Sequence, residues 1–300
     1  MGNPDVKPAK VAVDSEFLNK LGRLKIETRK ILAGVMKGDK RSRAYGTSVE
    51  FADYRDYHRG DDLRYLDWNI YARLERFFLK LFHEEEDLTV HILVDVSLSM
   101  ETGEPNKSTY ARKLAACLSY IALSNLDRIS VTSFADGIQK GTQLLRGKGH
   151  FGIVVEMLNS VVSESSTDFE ASVKEFNLRQ RSKGLVFVIS DFLDPVKLKD
   201  GLKRLAYRKH DIVLIQVLDK NEIDPELRGD WALTDIETGE IIEVSISPRL
   251  LSDYKRKMVA YLKDLKSFAS KMHAGYVLVT TDIDVEDFIL KELAFAGYVR

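Results

Sequence analysis

Asp95, Ser97 and Ser99 follow the apolar run Leu88 to Val94 at alternate positions, in the order Asp-Val-Ser-Leu-Ser. One carboxylate and two hydroxyls at the end of a strand are hard oxygen ligands, suited to magnesium, manganese or calcium. Two further segments carry the same chemistry. Ser165-Ser166-Thr167-Asp168 stands before an amphipathic stretch, and Val188-Ile189-Ser190-Asp191 closes a second apolar run. Asp95, Ser97, Ser99, Thr167 and Asp191 together offer two carboxylates and three hydroxyls to one divalent cation, magnesium first, with manganese or calcium as alternatives. An ion held this way is incompletely neutralised and stays receptive to an incoming acidic group. Each residue also has a local reading: Ser97 and Ser99 can cap the next helix, Thr167 can cap the helix from Phe169, and Asp191 can open the turn completed by Asp194-Pro195.

These residues need strands and helices to bring them together. From Leu88 onward, apolar runs of strand length over 88–94, 128–134, 184–190, 211–218 and 276–281 alternate with helical patterns over 108–124, 151–162, 169–180 and 196–207. Apolar residues at three- and four-residue spacing predict a long helix over 249–273, ended near Gly275, and Asp284 is placed to cap a last helix over 285–295. The alternation predicts an α/β chain with a doubly wound, mainly parallel sheet. In such a sheet ligands bind at the C-terminal strand ends where the winding reverses, so a central first strand with 184–190 beside it would turn Asp95 and Asp191 into one crevice. Residues 138–145 should pair back on 128–134 across Ala135-Asp136-Gly137. Residues 231–244 read as a second hairpin around Thr238-Gly239, within an insertion near 221–247 that projects from the domain.

In order and residue type, the series Asp95, Ser97, Ser99, Thr167, Asp191 resembles the metal-ion-dependent adhesion site (MIDAS) of von Willebrand factor type A domains. The resemblance implies that both serines bind the cation, that the threonine and aspartates bind it directly or through water, and that one coordination position stays open for a carboxylate of a protein partner. It also implies the Rossmann-like fold of that family for 88–300.

Residues 1–87 are expected to form an N-terminal tail and signature segment, helical and extended, either a domain of its own or an arm packed along the sheet, with 1–14 as a mobile tail. The block carries Gly46, Glu50-Phe51, Arg55-Asp-Tyr57, Gly60-Asp61, Arg64 and Asp67-Trp68. This series is similar to the signature of domain-of-unknown-function family 58, whose members lead from it into a type A domain. That resemblance implies an AAA+ ATPase partner of the MoxR type. The residues themselves mix Arg55, Arg64 and Arg73 with Asp61, Asp62 and Asp67 among tyrosines. They suit either a semi-buried polar network stapling the segment or a docking face built from Arg55, Tyr57, Arg64, Trp68 and Arg73.

Composition narrows the classes. Forty-five Lys and Arg against 46 Asp and Glu give a net charge of -1, which provides no overall attraction to nucleic acid or an anionic membrane. No run approaches the roughly 18 apolar residues of a membrane span, and no signal-peptide order opens the chain, so a cytoplasmic protein without membrane insertion is expected. Cys117 stands alone, which excludes an internal disulfide, and the six scattered histidines lack zinc spacing. Lys140, Arg146, Lys148 and His150 read as a solvated basic surface. The expected function is a non-enzymatic, metal-dependent protein-interaction module that serves as an adaptor for the ATPase. The alternatives are a phosphohydrolase with Asp95 as nucleophile, in which Ser97 would stand where a general acid is needed, or a metal-free scaffold docking through the N-terminal block.

Overall fold

A computed structural model of the chain describes residues 11, 13–27, 51–59, 61–82, 88–163, 167–227, 229–234 and 240–300. Gly46, Glu50, Gly60, Ser165, Ser166 and the Thr238-Gly239 turn lie outside them. The chain divides into two compact units, residues 30–87 and the remainder. The described N-terminal residues 11 and 13–27 fall in the larger unit and the signature segment in the smaller. Helix α1 (Ser15–Leu21) buries Phe17 and Leu21, an i,i+4 apolar pair too short to stand out as a periodic pattern. Val11, expected in a mobile tail, is buried and donates its N–H to the Asn159 side chain (2.7 Å).

In the smaller unit, β1 (Phe51–Asp56) pairs antiparallel with β2 (Phe78–Phe82), and helix α2 (Trp68–Leu74) lies between them in sequence. Asp67 caps α2, accepting the N–H groups of Asn69 (2.9 Å) and Ile70 (3.2 Å). Its carboxylate also takes the Tyr54 hydroxyl (3.2 Å) and the Lys80 ammonium (3.1 Å). One buried acid thus ties strand, helix and loop together.

The larger unit is built on a seven-stranded sheet. Its members are β3 (Thr89–Asp95), β4 (Arg128–Phe134), β5 (Ile138–Gly141), β6 (Leu145–Arg146), β7 (Leu185–Ser190), β8 (Asp211–Leu218) and β11 (Gly275–Thr280), in the order β11-β8-β7-β3-β4-β5, with β6 also on β4. β3 is parallel to both its neighbours, β4 and β7, whereas β5 returns antiparallel through the Asp136-Gly137 turn. This is the doubly wound order in which the first strand sits at the centre and the chain winds outward on either side, so the predicted α/β class holds. β3 points Val90, Ile92 and Val94 into one core cluster with helix α3 (Lys107–Ser124). It points Leu93 into the other, with helices α5 (Phe169–Arg179) and α6 (Pro195–Tyr207). Helix α4 (Phe151–Asn159) joins the first cluster through Val154 and Leu158.

Beyond β8, a short helix α7 (Lys220–Ile223) leads to an antiparallel ribbon of β9 (Gly229–Thr234) and β10 (Ile241–Ile246), and then to the long helix α8 (Pro248–Lys271). The ribbon is the hairpin expected around 231–244. α8 ends before Gly275: His273 takes the left-handed conformation (φ 56°) and Gly275 opens β11. Asp284 caps the last helix as expected, accepting the Glu286 N–H (2.7 Å). After α9 (Val285–Asp287), however, the chain widens into a π-turn over Phe288–Leu293, which places Phe288, Ile289 and Leu293 all in buried positions. No helix among the described residues is long and apolar enough to cross a membrane.

Candidate metal centre

The pairing of β3 with β7 aligns Val94 with Ile189, so the two chains leave the sheet side by side at its C-terminal edge, Asp95 from one and Ser190-Asp191 from the other. Asp95 is buried. One of its oxygens accepts the Ser97 N–H (3.0 Å), and the other accepts the Ser190 hydroxyl (2.6 Å). Burial first, and then the Asp191 carboxylate, push the Asp95 carboxyl well above the usual carboxylate range, against the pull of those hydrogen bonds. The Ser97 and Ser99 hydroxyls converge to 3.0 Å. Ser97 occupies the N-cap position of the following short helical turn, yet its side chain makes no capping bond and meets the Ser99 hydroxyl instead.

Thr167 reaches the same rim by another route. Asp168 donates its N–H to the carbonyl of Ala135 (2.7 Å), just past the end of β4, which holds the half-buried Thr167 beside the C-terminal edge. The cap of α5 is Asp168, which accepts the Ala171 N–H (3.0 Å). The capping role considered for Thr167 therefore falls to its neighbour, whose carboxylate is the better acceptor for an N-terminal N–H. Asp191 does take part in a turn, accepting the Leu193 N–H (3.3 Å), and Phe192 beside it adopts a left-handed φ of 53°. The Gln216 side-chain amide donates to the Asp191 carbonyl (2.7 Å) and the Tyr261 hydroxyl to that of Phe192, so this backbone is fixed from β8 and α8.

The sequence reading missed two residues. Ser190 bridges β7 to Asp95. Lys107, the first residue of α3, is completely buried, and its ammonium pairs with Asp191 (3.0 Å) and with Glu222 (2.6 Å). Burial opposes its charge, but the two carboxylates outweigh burial and hold Lys107 above the ordinary lysine value. A lysine at the start of a helix resembles any surface lysine in sequence. Only the loop that folds over the sheet edge, with Gly103 at φ 91° and the Glu104 N–H on the Asp219 carboxylate (3.1 Å), turns it inward. Below Ser99, Glu101 accepts Arg112 (3.2 Å), the Asn106 amide (3.0 Å) and the Ser163 hydroxyl, which anchors the loop that carries both serines.

The donor set fits a small divalent cation. Two carboxylates are pressed together in a buried place, no ion pair reaches Asp95 among the described residues, and the accompanying groups are hydroxyls. No group of three or more His, Cys, Asp and Glu suited to a metal occurs among the described residues.

The proposed docking residues lie elsewhere, in the smaller unit. Arg55 pairs with Asp61 (2.8 Å) and Arg64 with Asp62 (2.6 Å), so both guanidiniums are engaged inside the segment. Tyr57 tilts against Phe77 (6.0 Å), Trp68 stands edge-on to Tyr71 (6.2 Å) with 61% of its surface exposed, and Arg73 is exposed in the last turn of α2. The basic residues 140–150 are likewise engaged locally: Lys140 donates to the Ser160 carbonyl, and Arg146 to that of Leu126 (2.7 Å).

Comparison with known proteins finds relatives of this chain. An uncharacterised protein of Mycobacterium tuberculosis is 25% identical over 276 residues, which cover 90% of this chain and 87% of that protein. An uncharacterised protein of Mycobacterium avium is 29% identical over 117 residues, 39% of this chain and 69% of that one. Among solved structures, the conserved hypothetical protein BatB from Bacteroides thetaiotaomicron superposes with a TM-score of 0.43 at 15% identity, covering 70% of this chain and 98% of that one. The vWF domain of the type V pili tip protein Mfa5 from Porphyromonas gingivalis gives a TM-score of 0.36 at 11% identity, covering 71% and 96%. The sequence profile described as "Protein of unknown function DUF58" matches residues 53–262, from β1 into α8 and across the whole of the candidate site, and the chain belongs to that family.

Proposed function

We propose that this chain is a non-enzymatic protein-interaction module that depends on a divalent cation, magnesium most readily, and that it acts in the cytoplasm as an adaptor between a MoxR-type AAA+ ATPase and a protein complex. The observation that carries the metal reading is the convergence of Asp95, the paired Ser97 and Ser99 hydroxyls and Asp191 at the ends of the two central strands. Asp95, Ser97, Ser99, Thr167 and Asp191 would hold the ion, and the ion would supply a Lewis-acidic position for a partner's Asp or Glu. The ATPase partnership rests on the family resemblance. A nucleophilic role for Asp95 is disfavoured, because Ser97, two residues on, is no general acid.

The test is the thermal midpoint of the wild type and of Asp95→Ala, first in EDTA and then in millimolar magnesium or manganese. A ligand bound only by the folded state raises stability, so the midpoint should rise in the wild type and stay fixed in Asp95→Ala. An equal rise in both proteins, or none in either, would refute a metal held by Asp95. Binding of an acidic peptide that persists in EDTA would refute metal-dependent recognition.

A further inference from the structure

The carboxylates of the candidate centre belong to a larger pattern of charge. The loops at the C-terminal edge of the sheet, residues 95–106, 135–137, 167–168, 191–194, 219–224 and 281–284, hold twelve Asp and Glu against one basic residue, Lys220. At the opposite edge the sign is reversed. Residues 180–184, 207–210 and 271–274, which lead into β7, β8 and β11, hold five Lys and Arg and neither Asp nor Glu. The net charge of -1 therefore conceals a chain polarised along its strands, with the candidate centre at the negative end. Part of the acidic excess has a local use. Asp168, Asp219 and Asp284 cap helices α5, α7 and α9, and Glu101 and Glu222 pair with the buried Arg112 and Lys107. Glu104, Asp136 and Asp282 have neither use: they are exposed, and no Lys or Arg pairs with them among the described residues.

Two of these exposed acids stand on opposite sides of the centre. Glu104 is held over the end of β8, where its N–H meets the Asp219 carboxylate (3.1 Å). Asp136 follows β4, next to the Ala135 carbonyl that accepts the Asp168 N–H (2.7 Å), and so beside Thr167. Between them along the sheet lie β7 and β3, which carry Asp191 and Asp95 to the edge. Lys107 does not offset this rim toward a partner, because it is completely buried and its ammonium is already shared by Asp191 and Glu222. A partner that brings a carboxylate to the ion must therefore cross a rim of the carboxylate's own sign. A segment acidic throughout is repelled there, whereas one whose other side chains are basic is attracted, and at contact range such charges lie within the screening length of about 8 Å. We propose that the partner presents a single Asp or Glu with Lys or Arg on both sides of it, the carboxylate completing the ion and the basic residues meeting Glu104 and Asp136. This rests on the metal reading above and adds the chemistry that surrounds the partner's carboxylate.

The test is selection from a random peptide library on the immobilised full chain in magnesium, with elution by EDTA. The released sequences should carry one Asp or Glu with Lys or Arg close to it on both sides. The tightest of these peptides, measured by calorimetry, should bind Glu104→Lys/Asp136→Lys at least roughly tenfold more weakly than the wild type, and added salt should weaken its binding to the wild type. Both substitutions change exposed positions, and the rise of the thermal midpoint in magnesium, which the variant should keep, checks that the fold and the ion are intact. Released peptides whose carboxylate has neutral or acidic neighbours, or a variant that binds the peptide as well as the wild type does, would overturn the proposal and leave the metal reading standing. A library from which EDTA releases no peptide would overturn metal-dependent recognition and this proposal together.

Discussion

Lys107→Met removes the buried ammonium that balances Asp191 and leaves the rest of the core packing in place. The wild-type contacts are short, 3.0 Å to Asp191 and 2.6 Å to Glu222, and the Asp191 side chain is only 4% exposed while that of Glu222 is 25% exposed. At an effective dielectric of about 20, charges roughly 3 Å apart attract by about 5 kcal/mol per pair, and most of that attraction offsets the cost of burying the lysine. Removing one partner alone exposes the unbalanced half, so Lys107→Met should lose about 3–5 kcal/mol in equilibrium urea unfolding, with little change in m. Glu222 can turn toward water and contributes the smaller share. Lys107→Met/Asp191→Asn should recover part of the loss, because the buried charge and its counter-charge leave together. If the candidate centre binds magnesium, the ion should stabilise Lys107→Met more than the wild type, since it then supplies the missing positive charge. A Lys107→Met protein within about 1 kcal/mol of the wild type would refute the reasoning, since a buried ammonium that can be removed at so little cost was not balancing Asp191.

His91 is completely buried between the Ser130 hydroxyl (2.7 Å) and the Ser182 carbonyl (3.2 Å). Burial first, and then the neighbouring His210, lower its pKa from 6.5 to about 4. The unfolded chain then binds more protons below pH 6.5, so this contribution is complete above that pH and is lost as the pH falls toward 4. By pH 5 the loss is about 2 kcal/mol; His91→Gln should flatten the dependence of the urea midpoint on pH between 7 and 5, and an unchanged slope would clear His91 of the effect. Gly184→Ala should destabilise by about 1–3 kcal/mol, because its Cβ would lie 2.1 Å from the Thr89 carbonyl oxygen, a backbone atom that cannot step aside. A neutral urea midpoint for Gly184→Ala would show that β3 and β7 can separate there. Cys117 is buried, and burial pushes its thiol up to about 12, so the native protein should resist a thiol reagent that reacts promptly in urea. Rapid labelling without denaturant would mean that α3 opens locally.

The parallel strands were legible because each is a mainly apolar run of strand length between helical patterns, with few polar interruptions such as His91 and Gln216. Asp95 and Asp191 were legible for the same reason: a carboxylate directly after such a run has to emerge at the C-terminal edge. The smaller elements were not. α1 has a single i,i+4 pair, and β1 and β2 sit among Arg, Asp and Tyr whose charges hide any alternation. Ser190 looked like the last residue of a strand, and the role of Lys107 depends on contacts 84 and 115 positions away in sequence, which no local pattern carries. The ribbon was recognisable from its Thr-Gly turn, but that neither of its strands buries a residue follows only from the folded chain.

Lys107 also changes what the site can do. A count of carboxylates alone assigns a bound cation two full negative charges, from Asp95 and Asp191. Lys107 draws the charge of Asp191 toward itself and shares it with Glu222, while Asp95 is surrounded by the neutral donors Ser97 and Ser190. An ion at this edge would therefore be less neutralised by its protein ligands than the motif suggests, and under the proposed function that deficit would attract an acidic partner. The same arrangement predicts a modest affinity for the ion by itself and a tighter one once a partner's carboxylate completes the charge balance, because the two bindings are thermodynamically coupled and each strengthens the other by the same factor. The measurement is magnesium affinity by calorimetry with and without an acidic peptide. A peptide that leaves the affinity for magnesium unchanged would separate the metal from recognition.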